Sequence, residues 1–390
     1  MSHTEQLCPV ERITNAPFHH FFGYYEKPPW DATGRYVLGH RVAFIHRNNT
    51  AEDMAVVGLI DTQNGNQWRP LAETTAWCWQ QGTMLQWLGS APDREIIFNT
   101  RNADGFCTAI LDIQSGAQRS LPMPIYAAAP DGSYAMSLNF ARLDRTRPGY
   151  GYKGGVDHST GQLAPTDTGV YHLDVKTGTV TLVVTLAQLA NHAPEEQMQQ
   201  AEHWVNHLQV SRTGKRVAFL HRWRAPGMTS WRTRLYAVNP DGSDLRLLAR
   251  EGMVSHYDWR GDTHILAWSR YQNEDHYHLY GDQTETIELV GAAVLDRDGH
   301  CSYSPDGRWL LTDCYPNAAK PIRTLMLYEP MTNQRIDIGH FYSPPELSGE
   351  IRCDLHPRWN RNGNQVCLDS AHEDNRQMYV VDVAALTAQA

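Results

Sequence analysis

The stretch SPDGRWLLTD, Ser304 to Asp313, decides the fold. A Pro-Asp-Gly turn leads straight into a short apolar strand, and the Gly supplies the positive φ that such a hairpin turn requires. Six further segments repeat the design: WDATGRYVLGH (Trp30–His40), GSAPDREIIFNT (Gly89–Thr100), APDGSYAMSLN (Ala129–Asn139), SRTGKRVAFLH (Ser211–His221), WRGDTHILAWS (Trp259–Ser269) and NRNGNQVCLDS (Asn360–Ser370). A second pattern follows each copy: a strand, then Asp or Asn, then a turn. It reads GLIDTQNG (Gly58–Gly65), AILDIQSG (Ala109–Gly116), YHLDVKTG (Tyr171–Gly178), YAVNPDG (Tyr236–Gly242) and YVVDV (Tyr379–Val383), with looser forms at LYGDQTE (Leu279–Glu285) and LYEPMTN (Leu327–Asn333).

Two hairpins per repeat make a four-stranded antiparallel sheet. Seven repeats, spaced about 40 to 60 residues apart, predict an all-β, seven-bladed β-propeller occupying residues 1–390 as one domain. The last repeat lacks a fourth strand, and PVERIT (Pro9–Thr14) is expected to supply it and close the ring. Closure removes an exposed sheet edge. One repeat carries an insertion at about 141–204, with a polar, helix-like stretch from Leu186 to Trp204. Long insertions in such folds lie on one face and often cover the site.

Of the 390 residues, 41% are hydrophobic and 20% charged, so a large core is expected and disorder is not. The net charge of -9 argues against a nucleic-acid partner, though a local Arg/His pocket can still take an anion. No run is long and apolar enough to span a membrane, and the N-terminus has no signal-peptide pattern. The 7 Cys are scattered and contain no CxxC, which makes a reducing cytoplasm the expected location. The 12 Trp suit blade packing or sugar stacking.

In a propeller, function gathers where the loops entering the inner strands meet the central channel. Five of those segments carry His: HHFFGYYEKPPW (His19–Trp30), HWVNHLQVS (His203–Ser211), GMVSHYDWR (Gly252–Arg260), DGHCSYS (Asp298–Ser304) and GEIRCDLHPRW (Gly349–Trp359). In the last, Cys353, Asp354 and His356 are all of types that bind Zn²⁺ or Mn²⁺, and His300 begins the neighbouring inner strand. Strand alternation points Asp354 and His356 one way and Cys353 the other, so a shared ion requires a bend. A basic group comprises His207, His221, Arg222, His256 with Tyr257, and Arg270. Arg suits a carboxylate ligand, and His or Tyr suits proton transfer. Of His19 and His20, alternation sends one toward the channel, with His20 the candidate.

These segments resemble the oligogalacturonate lyases and, more distantly, the propeller ulvan lyases, over roughly Trp204 to Val383. The resemblance implies a cytoplasmic seven-bladed propeller that cleaves uronate oligosaccharides by β-elimination with a bound divalent metal, Mn²⁺ or Zn²⁺. It implies His256 as base and His300 as a metal ligand. RCDLHPRW resembles the family's Gln…His-Pro-His-Pro metal segment: His356-Pro357 fits the second His-Pro. Asp354 stands in place of the first His and Ile351 in place of the Gln, unless Glu350 serves. The substrate expected is an anionic oligosaccharide, with Arg222 or Arg270 on its carboxylate and Tyr257 as acid. Two other readings remain: a TolB-like binding propeller without catalysis, and a glycoside hydrolase using a carboxylate pair from Asp258, Asp313, Asp354 and Asp369.

Overall fold

The computed structural model describes residues 2–388 except Ala318. Seven antiparallel sheets form a ring. The first blade comprises strands His19–Phe21, Tyr36–Val42, Ala55–Asp61 and Gln67–Thr74. Blades two to five repeat the order, and blade five runs Val254–Arg260, His264–Tyr271, Glu274–Gly281 and Ile287–Leu289. The turn motif works as its residues require. At Ser304–Trp309 two backbone bonds close the hairpin, Gly307 takes φ 75°, and the Ser304 hydroxyl accepts the Trp309 N–H at 2.9 Å.

Blade seven contains Arg358–Trp359, Gln365–Ser370 and Gln377–Asp382, and its outermost strand is Val10–Arg12 from the other end of the chain. Val10 pairs with Val381 and Arg12 with Tyr379, antiparallel. This is the closure expected of PVERIT. A feature not anticipated lies upstream: Ser2–Glu5 adds a fifth strand, parallel, to the outer edge of blade six, with Ser2 opposite Gln334. Its alternating polar side chains are all exposed, so periodicity gave no sign of a strand.

The segment 141–204 is not one insertion. Residues Phe140–Thr146 form a helix capped by Asn139 and lie between the second and third strands of blade three. The helix expected from Leu186 to Trp204 is shorter. It spans Leu186–Asn191, with Thr185 capping the Gln188 N–H at 3.0 Å. Pro194 follows and cannot continue a helix. Trp204 instead lies in the inner strand of blade four, Glu202–Val210.

Tryptophans bridge the blades. The indole N–H of Trp87 donates to the Pro29 carbonyl at 2.9 Å, that of Trp259 to Gln209, and that of Trp359 to Ser302. Each therefore ties the end of one inner strand to the adjacent blade while filling the core with its rings. No helix is long and apolar enough to cross a membrane among the described residues.

Candidate active site

Two inner strands are bent where their histidines sit. In blade four the register shifts between Asn206 and Gln209, and His207 adopts φ 52°. In blade five it shifts between Val254 and Tyr257, around His256. A bulge of this kind re-aims a side chain that regular alternation would place elsewhere. His356, with φ 41°, is a second histidine in the left-handed region. Such a conformation costs on the order of 1–3 kcal/mol and is concentrated at functional positions.

The histidines converge. The His256 and His300 ring centroids lie 4.2 Å apart, and those of His300 and His356 4.5 Å. His256 Nδ1 donates to Asp298 at 2.9 Å, and His300 Nδ1 donates to Asp313 at 2.9 Å. The carboxylate in each pair thereby leaves the Nε2 lone pair free for work. Tyr315 Oη sits between the two, 3.5 Å from His256 Nε2 and 3.4 Å from His300 Nε2. Burial, then the Asp354 charge, keeps the Tyr315 hydroxyl protonated by raising it well above 10. Burial lowers His256, with Asp298 opposing it, so the imidazole is neutral near pH 7.

His300, Asp354 and His356 each offer a ligand atom, all within 4.8 Å of one another. All three are fully buried. Neither ring nitrogen of His356 has a hydrogen-bond partner. A buried imidazole left without partners is costly unless something else binds it. Two imidazoles and a carboxylate suit Mn²⁺ or Zn²⁺, so these residues fit a divalent ion. Asp354 Oδ1 lies 2.7 Å from Arg323 and Oδ2 2.7 Å from Arg352. Burial pushes the Asp354 carboxyl up, but Arg352 and Arg323 prevail and hold it well below the usual carboxylate range.

Cys353 does not join them. The segment is extended but not a strand, and its alternation survives: Leu355 enters the core, while Cys353 turns into an apolar cluster with Ile45, Leu347 and Ala371. Burial raises its thiol to about 11, which disfavours the thiolate a metal needs. The argument for Zn²⁺ from a sulfur ligand goes with it.

On the other side of the centre, Tyr24 stacks on His207 at 4.7 Å and meets His356 edge-on at 4.9 Å. His207 Nε2 faces Tyr24 Oη at 3.2 Å and Nδ1 faces Tyr126 Oη at 3.2 Å. Arg222 is buried, and its Nε and one terminal nitrogen have no partner. Tyr150 packs edge-on against His207 at 5.4 Å and accepts a hydrogen bond from Arg352 at 2.7 Å, so both walls share one enclosure.

Four other sequence candidates lie elsewhere or are engaged. Arg270 is held bidentately by Asp275 near a hairpin tip, at 2.7 and 2.9 Å, which leaves Arg222 as the free guanidinium. His221 pairs with His203 at 2.8 Å inside blade four, packed against Trp223. His20 bonds Gln377 at 3.1 Å between blades one and seven. The Tyr257 hydroxyl donates to the His207 carbonyl, so it is a structural bond rather than a free acid. The four carboxylates considered for hydrolysis are each committed: Asp258 to Gln209 and the Tyr303 N–H, Asp313 to His300, Asp354 to two arginines, and Asp369 to Arg358. Asp298, Tyr315 and Tyr150 emerge only from the structure. Asp298 stood two residues before His300, but its partner His256 is in the preceding blade.

Fold and site define a seven-bladed propeller with a buried His–Asp centre. Solved structures of similar fold include an oligogalacturonate lyase from Vibrio parahaemolyticus, with TM-score 0.67, 14% identity, and coverage of 96% of this chain and 94% of that one. An oligogalacturonate lyase in complex with manganese gives TM-score 0.69 and 14% identity over 96% and 93%. The propeller domain of the Trilobed protease from Pyrococcus furiosus, described as having an open velcro topology, gives 0.54 and 12% over 97% and 100%. No family model and no curated protein matches the chain.

Proposed function

We propose that this chain is a lyase that cleaves a uronate-containing oligosaccharide by β-elimination, with a divalent ion held by His300, Asp354 and His356. One observation carries the reading: the Asp298-paired imidazole of His256 stands beside that metal-competent grouping, with His256 and His300 ring centroids 4.2 Å apart. The likeness in fold to the oligogalacturonate lyases supports it.

The reaction removes the proton at C5 of a uronate. The C5–H electron pair becomes the C4=C5 double bond, the C4–O bond breaks, and the departing oxygen takes a proton. Neutral His256 accepts the C5 proton through Nε2, and Asp298 stabilises the imidazolium that forms. Tyr315, kept protonated by burial, is placed to supply the proton to the leaving oxygen. Arg222 binds the substrate carboxylate, on which negative charge builds as the proton leaves. A divalent ion, when bound, would act as a Lewis acid on that same carboxylate. Tyr24, Tyr150 and His207 are buried beside the centre, and the low local dielectric of such surroundings strengthens each of these interactions.

The test is a screen of uronate oligosaccharides followed at the ultraviolet band of the unsaturated product. Turnover of at least one, lost in His256→Ala with the fold intact, is the expected result. Absence of product from every uronate tried, with metal-loaded protein, would overturn the reading.

A further inference from the structure

The inner strand of blade five, Val254–Arg260, bulges at its histidine. Val254 lies opposite Ser269 and Tyr257 opposite Ala267, which leaves Ser255 and His256 against the single residue Trp268. A bulge re-aims a side chain but disrupts the ladder around it. This strand is also the last of its sheet, so its inner edge meets no further strand. The Tyr25 hydroxyl covers that edge. It donates to the Tyr257 carbonyl at 2.8 Å and accepts the Tyr257 N–H at 3.0 Å. That N–H belongs to the planar peptide unit that follows His256, so holding it restricts ψ of His256 itself.

Tyr25 comes from blade one, on the loop after His19–Phe21, and blades one and five are not neighbours in the ring. The loop is itself held. Gly23 takes φ 132°, and a Cβ there would stand 2.8 Å from the Gln81 carbonyl oxygen. Glycine alone fits such a passage. Arg358, paired with Asp369, donates to the carbonyls of Gly23 and Tyr24. Tyr25 is buried, and burial raises its hydroxyl well above 10, so it keeps the proton it donates. Its ring stands at 79° to that of His256, with centroids 5.8 Å apart, and lies 5.4 Å from that of His300. Asp298 pins one nitrogen of the His256 imidazole, whereas Tyr25 holds the backbone from which the imidazole hangs.

We propose that Tyr25 is a positioning residue for His256: its hydroxyl splints the blade-five bulge and its ring flanks the imidazole, so that the base is aimed from blade one as well as by Asp298. The inference rests on His256 as the base of the proposed lyase, but the positioning can be read without a substrate. Aim matters because a misplacement of about 1 Å can cost on the order of 100-fold in rate.

Tyr25→Phe keeps the ring and removes the hydrogen bonds to Tyr257. The first readout is ¹⁵N NMR of labelled histidines with Zn²⁺ present, the His256 signals being identified by their absence in His256→Ala. Wild-type His256 should show one neutral tautomer, protonated at Nδ1. In Tyr25→Phe its signals should broaden or split, while those of His203 and His221, inside blade four, stay in place. The second readout is kinetic, on a uronate oligosaccharide that the wild type cleaves: kcat should fall roughly 10- to 100-fold with KM within about twofold. The third needs no variant and decides the matter even if Tyr25→Phe fails to fold: the Tyr257 amide of the wild type should exchange slowly with deuterium. Unchanged His256 signals, unchanged kcat, equal disturbance of all three histidines, or a freely exchanging Tyr257 amide would each overturn the inference. If the wild type cleaves no uronate but Tyr25→Phe still disturbs His256 alone, the lyase reading fails and the positioning stands.

Discussion

Asp298 Oδ1 lies 2.9 Å from Nδ1 of His256, across the junction between blades five and six. The contact fixes which ring nitrogen keeps its proton and points the other at the enclosure. Asp298→Asn can present its amide N–H to Nδ1 and so favour the wrong tautomer. We expect kcat to fall by about 10² or more with metal content unchanged. Full activity in the variant would mean that His256 acts without this carboxylate, or does not act.

The metal-competent residues give a reading independent of substrate. Purified protein is expected to hold close to one divalent ion per chain by elemental analysis, and His356→Ala to lose it. Asp313→Ala removes the acceptor for His300 Nδ1 and should weaken metal affinity about 10- to 100-fold. A metal-free wild-type protein that gains no thermal stability from Mn²⁺ or Zn²⁺ would contradict the site.

Arg358 joins the two ends of the ring. Its guanidinium meets Asp369 at 3.0 and 3.2 Å, both partners buried, and donates to the Tyr24 carbonyl at 3.1 Å. Arg358→Met leaves Asp369 as an uncompensated buried charge and should cost about 3–5 kcal/mol in unfolding free energy. Urea titration measures it, and a loss under 1 kcal/mol, by the same principle, would show the pair to be dispensable.

Acid should weaken the fold before its carboxylates titrate. Burial lowers His40 and His20 from 6.5 to about 4. The unfolded chain therefore takes up these protons near pH 6.5 and the folded one only near 4. Stability should fall as pH drops through that window, by about 1.4 kcal/mol per pH unit for each imidazole. A stability curve that stays flat from pH 6.5 to 4.5 would be inconsistent with neutral buried histidines.

The architecture was legible because turn chemistry is local. A turn rich in Asp, Gly, Asn or Pro before a short apolar strand is read the same way at each repeat, and seven such turns count the blades. The closing strand was legible from a deficit, since the last repeat lacked its fourth strand. Strand alternation also separated Cys353 from Asp354 and His356, although the segment is not a strand. Beyond His300 with Asp354 and His356, what escaped was the relationships between blades. Asp298 and His256, or Tyr25 and Tyr257, are far apart along the chain and carry no shared pattern. Arg222 and Arg270 look alike in sequence; only the position of Asp275, five residues on and facing back, neutralises one of them.

The ring has a seam, and the seam has a cost in time. Val10–Arg12 is synthesised among the first residues but finds its partner only when Gln377–Asp382 exists. The Tyr24 that stacks on His207 and touches His356 likewise waits for both. A nascent chain can form its middle blades early, yet the His–Asp centre is incomplete until the last blade, with His356, arrives. Onset of activity during refolding would therefore lag the appearance of sheet structure and mark the moment at which the circle shuts.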